Sequence, residues 1–236
     1  MAAVSEQGEI HQHSGWLIPL ALFVTILALS GLLLLYYLRP VPGAFRDNRP
    51  TAAVTHVSAT IRSLKLEIPA NYLESGLRGK DVDVVSLFAL LPDMRGYSDA
   101  DAALFAGNAA DSPVLHLLIR ADTNSLDPAH RLERIYKPYL REARGKPDMF
   151  GLTRYDFRAD SGYGRDDLFV GDDAKGPVLL LCERAAQDLP SPNCLAIDRP
   201  IARDVNLSYR FKRSQLARWR EIGAGVDHLV AGFLRR

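Results

Sequence analysis

Side chains that could do chemistry are present in this chain, but their spacing matches no common catalytic pattern. The six histidines do not form the H-E-x-x-H arrangement that binds catalytic zinc, so we interpret each as structural or solvent-facing. The sequence D-S-G-Y-G at 160–164 is the nearest match to the G-x-S-x-G elbow of serine hydrolases, but its glycines follow the serine. No phosphate-binding glycine pattern occurs. The sequence therefore predicts no catalytic residue, no cofactor and no metal site, and it leaves open whether the protein is an enzyme.

Acidic residues gather in one short part of the chain, between residues 156 and 173. Carboxylates in a loop can bind a hard cation such as Ca²⁺, but the spacing differs from the D-x-[DN]-x-[DN]-G calcium loop. We therefore interpret these side chains as solvated turn residues. They are Asp156, Asp160, Asp166, Asp167, Asp172 and Asp173.

The two cysteines are placed so that a hairpin would bring them together. Cys182 ends the apolar run P-V-L-L-L-C, and Cys194 opens the run C-L-A-I after a loop with two prolines. Paired strands hold opposite Cβ atoms close enough for a disulfide, and closing this loop would stabilise the fold by about 3 kcal/mol. The alternatives are two unrelated buried thiols, or a zinc site for which no histidine has the usual spacing.

The longest apolar segment of the chain runs from Trp16 to Leu38 and contains no charged side chain. As a helix it would be about 33 Å long, enough to cross a hydrocarbon core of about 30 Å. Trp16 at one end and Tyr36 with Tyr37 at the other are typical of interfacial anchors. A cleaved signal peptide fits less well, because residues 1–15 contain no Lys or Arg. A buried helix of a soluble protein would have a polar face.

Two features disagree about which side of the membrane the large domain occupies. Arg39, Arg46 and Arg49 follow the span, and basic flanks favour the cytoplasm. The expected disulfide favours an oxidising compartment, and a long domain can be translocated despite flanking charge. We therefore expect a periplasmic or other extracytoplasmic domain.

Composition divides the chain into a tail at 1–15, a transmembrane helix at 16–38, a proline-containing linker at 39–53 and one domain at 54–236. Short strand-like runs dominate the domain, so we expect an α+β fold around a mainly antiparallel sheet. The chain has 29 basic and 28 acidic side chains and no basic stripe interleaved with aromatics. Nucleic acid is therefore not an expected partner. Strands are predicted at 54–68 (one bent strand or a hairpin), 81–91, 113–120, 151–158, 167–170, 177–183, 194–198 and 204–212.

An amphipathic helix is predicted at the end of the chain, over residues 214–234, and its apolar stripe includes Trp219 and Phe233. The stripe either covers one face of the sheet or forms a docking surface for a membrane-complex partner. A second helix is predicted to begin at Asp127-Pro128 and to kink or end at Pro138.

The sequences L-E-I-P-A-N-Y-L at 66–73 and L-P-D-M-R-G-Y-S at 91–98 carry a resemblance. The chain resembles uncharacterised single-pass inner-membrane proteins of proteobacteria, which have an extracytoplasmic domain containing a similar I-P-A-N pattern. The resemblance covers the anchor and about residues 55–100. It implies a bacterial inner-membrane location, and it brings no activity and no functional residues.

The expected function is therefore that of a membrane-anchored, non-enzymatic envelope protein. Its partners would be the lipid bilayer and a protein that the periplasmic domain binds or scaffolds. The alternative is a membrane-tethered periplasmic hydrolase of unknown type, which would use residues brought together only by folding.

Overall fold

The structure, a computed structural model, describes residues 15–37, 49–77, 79–124 and 126–235. The chain divides into two units, Met1–Arg46 and Asp47–Arg236. The predicted tail, apart from residue 15, and residues 39–48 of the predicted linker lie outside the described residues.

Among its described residues, the first unit contains the helix α1 (Leu17–Tyr37), whose side chains are all exposed. Its length and composition are sufficient to cross a membrane. Trp16 precedes the first turn, and Tyr36 and Tyr37 form the last, so the aromatic side chains stand at the two ends. The Thr25 hydroxyl donates a hydrogen bond to the Ala21 carbonyl (2.8 Å), which satisfies it within the helix.

The second unit is an α+β domain that contains the remaining strands and helices. They are β1 (His56–Ile61), β2 (Leu64–Pro69), β3 (Val84–Leu90), α2 (Ala102–Ala106), β4 (Val114–Ala121), α3 (Pro128–Arg131), β5 (Lys146–Pro147), β6 (Thr153–Asp156), β7 (Asp166–Asp173), β8 (Gly176–Glu183), β9 (Asn193–Ala202), β10 (Val205–Lys212) and α4 (Trp219–Phe233).

Eight strands form one antiparallel sheet in the order β3-β4-β10-β9-β8-β7-β6-β5, and β1 pairs with β2 as a separate hairpin. The fold class predicted from the sequence is therefore confirmed. The bent strand or hairpin expected at 54–68 is a hairpin. Chain neighbours β5 to β10 are also sheet neighbours, as short antiparallel connections require. Only the β4–β10 pairing brings together strands that are far apart along the chain.

The main core lies between one face of the sheet and α4. Val205, Leu207, Tyr209 and Phe211 alternate along β10 and are all buried on this face, against the apolar stripe of α4. The predicted period of two in this strand thus describes its buried row. Because β10 pairs on both sides, its buried row lies well inside the sheet.

Trp219 and Phe233 belong to this core and are only 2% and 5% exposed. The Trp219 indole N–H donates to the Phe150 carbonyl at 3.1 Å, and its ring lies over Gly171, where a Cβ atom would come within 2.8 Å of the ring. These two side chains cover the sheet and present little surface to a partner. Of the two roles considered for them, the core role fits the structure, and we do not propose them as docking residues.

The ends of α4 and α3 differ from the predicted helices. Residues Arg213–Arg218 form a 3-10 turn with no side-chain cap, so regular α-helix begins only at Trp219. After α3 the backbone passes through a short π turn and a 3-10 turn, which ends at Tyr139. Pro138 lies in that last turn, where a continuing helix would lose a hydrogen bond.

Cys182 and Cys194 face each other in the β8–β9 register and form a buried disulfide, as predicted. A second link lies beside it, because Arg213 donates to the Glu183 carbonyl (2.7 Å) and to the Asp167 carboxylate (2.6 Å). Arg184 donates to the same carboxylate at 2.8 Å. Asp167 is 5% exposed, so the interpretation of the whole acidic group as solvated turn residues is wrong for this member.

The Asp167 pairs make part of the stability dependent on pH. Burial raises the pKa of Asp167, but hydrogen bonds from Arg213 and Arg184 and their charges outweigh it, so the pKa lies below its ordinary value of 3.8. A carboxyl whose pKa is lower in the folded state contributes stability above pH 3.8, and the contribution is lost as the pH falls through the folded pKa.

We expect the free energy of unfolding of the native protein to fall more steeply below pH 3.8 than that of Asp167→Asn, which lacks this titration. Denaturant unfolding at a series of pH values measures the difference. At neutral pH the variant should be the less stable protein. The difference in the free energy of unfolding between the two proteins should become smaller as the pH falls. A difference in the free energy of unfolding that stays constant across the pH series would contradict the role of Asp167.

Candidate functional site

The sheet face opposite α4 is covered only at its two sides. At the β3–β4 side, Phe88, Leu90 and Val114 pack with Tyr97 and Phe105. At the β6–β9 side, the segment after α3 covers a second cluster that contains Tyr136, Leu140, Phe157, Leu168, Leu179 and Ile197. Between them lie outward-facing side chains of β4, β10 and β9, of which His116, Leu118, Arg210 and Leu195 keep part of their surface exposed, whereas Ser208 and Lys212 are buried. We call this region the open strip.

A row of paired residues crosses the open strip. His116 on β4 is opposite Arg210 on β10, and Arg210 is opposite Leu195 on β9. The Arg210 side chain is exposed, and Leu195 retains 37% of its surface. Leu118 lies two residues further along β4, opposite Ser208, and is partly exposed. The strip therefore combines a central guanidinium with two accessible leucines.

A β-bulge places a buried carboxylate at one end of the strip. Ile197 and Asp198 on β9 together oppose Ser208 on β10, which turns Asp198 out of the regular ladder with φ of 20°. The Ser208 hydroxyl donates to the Asp198 carboxylate (2.6 Å) and accepts from its backbone N–H (3.3 Å). This exchange explains how a carboxylate with only 5% exposure is held in one position.

Two arginines from different elements converge on Asp198. Arg120 of β4 donates to its Oδ2 atom at 2.6 Å, and Arg131 of α3 donates to the same atom at 2.9 Å. Arg120 also lies 3.5 Å from Asp122. The cluster joins α3 to the middle of the sheet, and the two guanidinium groups carry more positive charge than Asp198 alone can balance.

The other end of the strip is also positive. Lys212 is 5% exposed, and its ammonium donates to two neutral acceptors, the Asn108 side-chain oxygen (2.6 Å) and the Ser191 carbonyl (3.3 Å). Burial, and after it the charge of Arg210, lowers the pKa of Lys212. No carboxylate of the described residues forms an ion pair with Arg210. The exposed Arg210 can therefore accept a negatively charged group from outside, whereas the buried Lys212 only adds positive charge nearby.

One carboxylate–histidine pair borders the strip. The His116 ring nitrogen Nδ1 lies 2.5 Å from the Glu74 carboxylate. Such a pair could orient a general base, but no hydroxyl or thiol of the described residues forms a hydrogen bond with His116. Within the same residues, no three histidine, cysteine, aspartate or glutamate side chains are grouped so as to hold a metal ion.

None of the site residues predicted within the domain lies in the open strip. Cys182, Cys194, Trp219 and Phe233 all belong to the core on the α4 face. One feature of the sequence indicated the strip. The polar residues that alternate with the apolar row of β10 must lie on the opposite face of the sheet. Asp198 and Arg131 had none, because only folding brings a bulge on β9 and a turn of α3 together.

Comparison with known proteins adds information about the fold. No family model matches the chain, and no curated protein matches its sequence. An immunity protein of the Stenotrophomonas maltophilia type IV secretion system has a similar structure, with 16% identity and a TM-score of 0.59 over 78% of this chain and 94% of that chain. The Neisseria meningitidis iron-regulated outer membrane lipoprotein FrpD aligns with 16% identity and a TM-score of 0.48, over 82% of this chain and 99% of that chain.

The first likeness shows a shared fold for the domain, because it covers nearly all of the matched protein at a TM-score above 0.5. The likeness to FrpD has a TM-score below 0.5, so it does not establish a shared fold. The class defined by fold and composition is therefore an α+β domain preceded by a candidate membrane span.

Asp198→Asn tests whether the buried carboxylate organises the strip. The change keeps the shape but removes the charge partner of Arg131 and leaves Arg120 with only the more distant Asp122 (3.5 Å), so we expect a loss of about 3 kcal/mol in the free energy of unfolding. The estimate is at the low end for buried pairs because Arg120 keeps 39% of its side chain exposed. Denaturant titration measures it. The matched control is Asp160→Asn, whose side chain is 82% exposed and should change stability by about 0.5 kcal/mol or less. Equal losses of stability in Asp198→Asn and Asp160→Asn would contradict the conclusion that Asp198 organises the strip.

Proposed function

We propose that this protein is a membrane-anchored, non-enzymatic protein of the bacterial envelope whose domain binds a protein partner. In this proposal α1 spans the inner membrane, with Trp16, Tyr36 and Tyr37 at the interfaces. The domain lies in the periplasm. The resemblance in the I-P-A-N region remains part of the proposal and supports a bacterial location.

The disulfide supports the extracytoplasmic location of the domain. Cys182 and Cys194 are paired, and structural disulfides persist in oxidising compartments. The basic residues Arg39, Arg46 and Arg49 oppose this orientation. We give the disulfide more weight, because charge bias governs short loops more strongly than long translocated domains.

The open strip carries the functional proposal. It exposes the guanidinium of Arg210 beside Leu195 and Leu118 on the sheet face opposite α4. Arginine flanked by apolar side chains is typical of residues that dominate binding energy in protein interfaces. Because the exposed Arg210 lacks a carboxylate partner among the described residues, we propose that the partner presents an acidic group beside an apolar side chain.

The fold likeness suggests what binding could achieve. The similar structure is an immunity protein of a type IV secretion system, and covers 78% of this chain. We propose, as the more specific form of the hypothesis, that the domain neutralises the protein it binds. At 16% identity, this step rests on the fold alone.

A tethered hydrolase is the second candidate, and the Glu74–His116 pair is the observation that favours it. This pair would need a nucleophile that the described residues do not place in contact with the ring. Partner binding needs no additional group, so we retain it as the proposed function.

The experiment is site-specific crosslinking in living cells. A photoreactive residue at Leu195 should yield one discrete adduct of defined mass in the envelope fraction. Arg210→Glu in the same protein should abolish that adduct, because it places a carboxylate where the proposed partner brings its own. Since Arg210 is exposed, its substitution should change the stability of the domain by no more than about 0.5 kcal/mol.

Arg203→Glu is the matched control, because its side chain is 93% exposed in the turn between β9 and β10. It should leave the adduct unchanged. An adduct that survives Arg210→Glu, or that disappears equally in both variants, would contradict binding at the open strip. An adduct that contains only a second copy of this chain would replace the proposed partner with self-association.

A further inference from the structure

The β5–β6 hairpin presents two large apolar side chains to solvent. Met149 is 68% exposed and Phe150 is 43% exposed, at the turn that joins the two strands. Neighbouring Leu152 is buried, so the turn is anchored on one side and projects on the other. We call Met149 and Phe150 the apolar tip.

The apolar tip is held in place by contacts that come from α4. Phe150 has φ of 65°, a left-handed conformation that is uncommon for an aromatic residue. Its carbonyl accepts hydrogen bonds from the Trp219 indole (3.1 Å) and from Arg220 (2.9 Å), and the Arg220 guanidinium lies 4.3 Å from the Trp219 ring centre. The Asp148 carboxylate accepts from the Met149 N–H at 2.6 Å. The exposure of the tip is therefore built into the fold.

Cations surround the base of the same hairpin. A shallow depression there is lined by four basic and two acidic side chains: Arg141, Arg144, Lys146, Arg154, Glu142 and Asp156. Lys146 pairs with Glu142 at 3.0 Å, and Arg154 pairs with both Asp156 (3.2 Å) and Asp148 (3.7 Å). The described residues provide no ion-pair partner for Arg141 or Arg144, so the depression has an excess of positive charge.

We propose that this hairpin is a second, reversible membrane contact. The apolar tip would enter the interfacial layer of a bilayer, while Arg141 and Arg144 meet the phosphate groups of anionic lipids. Exposed apolar side chains next to cations combine the two attractions that bind peripheral proteins to anionic membranes. The contact is distinct from the open strip, because the tip rests on α4 and the strip is on the opposite sheet face.

We favour lipid as the ligand because the proposed membrane anchor would hold the domain close to a bilayer. Residues 38–55, between α1 and β1, span at most about 60 Å when fully extended. A tether of this length keeps headgroups at a high effective concentration around the domain, so even a weak contact would be populated. This step rests on the proposed membrane anchor, whereas the chemistry of the hairpin does not.

The test uses the full chain in vesicles with an environment-sensitive fluorophore attached through Met149→Cys. The native cysteines form a buried disulfide, so the label is confined to position 149. We expect a blue shift and quenching by chain-labelled lipids when phosphatidylglycerol is present. Both should be smaller in phosphatidylcholine alone or at high salt. Arg144→Gln should reduce the ratio of membrane-bound to free hairpin about fivefold.

Two matched controls accompany the measurement. The same label through Leu104→Cys, at a side chain that is 45% exposed on α2, should not respond to lipid. Arg203→Gln should not alter the response at position 149. An absent shift, or equal shifts at both labelled positions, would overturn the proposal. A shift produced by added envelope proteins but not by lipid would identify a protein site and also overturn it. Flotation of the unlabelled protein with vesicles measures the insertion of α1 separately. Failure of the anchor can therefore be distinguished from failure of the hairpin contact.

Discussion

Strand β9 provides the constraint on which the rest of the domain depends. On one side it is bonded covalently to β8 through Cys194, and on the other it pairs with β10. Its bulge inserts one residue opposite Ser208 and so changes which side chains face the core. Before the bulge, Cys194 and Ala196 lie on the α4 face, and at the bulge Asp198 is turned toward the open strip.

The domain contains three clusters in which one charged side chain is shared between two partners of opposite charge. Asp167 and Asp198 each receive two arginines, and Arg199 is shared between Asp173 (2.7 Å) and Asp227 (3.5 Å). Removing charges from water is costly, so such groups contribute little net stability and instead disfavour arrangements that leave one member unpaired. Each cluster joins elements distant in the chain. Together they fix the positions of long charged side chains on both faces of the sheet.

Local pattern was sufficient to predict much of the architecture. The charge-free run that contains α1, the alternation in β10 and the loop between Cys182 and Cys194 are each visible in a few consecutive residues. The start of α4 was harder to place, because the residues before Trp219 can form either a 3-10 or an α turn. Helical periodicity after Asp127 was interrupted by the turn that contains Pro138.

The functional surfaces were less accessible to prediction because they are assembled from distant segments. Arg120, Arg131 and Asp198 come from β4, α3 and β9, and no spacing in the sequence relates them. The sequence offered the apolar stripe of α4 as a possible docking surface, but in the structure this stripe is buried against the sheet. The exposed pair Met149 and Phe150 stands instead in a short turn, where an apolar residue has no periodic neighbours to mark it.

The most direct measurement of the account is the thiol state of the protein in freshly isolated membranes. The full chain is denatured with a mass-adding thiol reagent, with and without prior reduction. An anchored domain in an oxidising compartment should acquire no tag before reduction and two tags after it, at Cys182 and Cys194. Two tags without reduction, or the recovery of the chain in the soluble fraction, would contradict an anchored, extracytoplasmic protein.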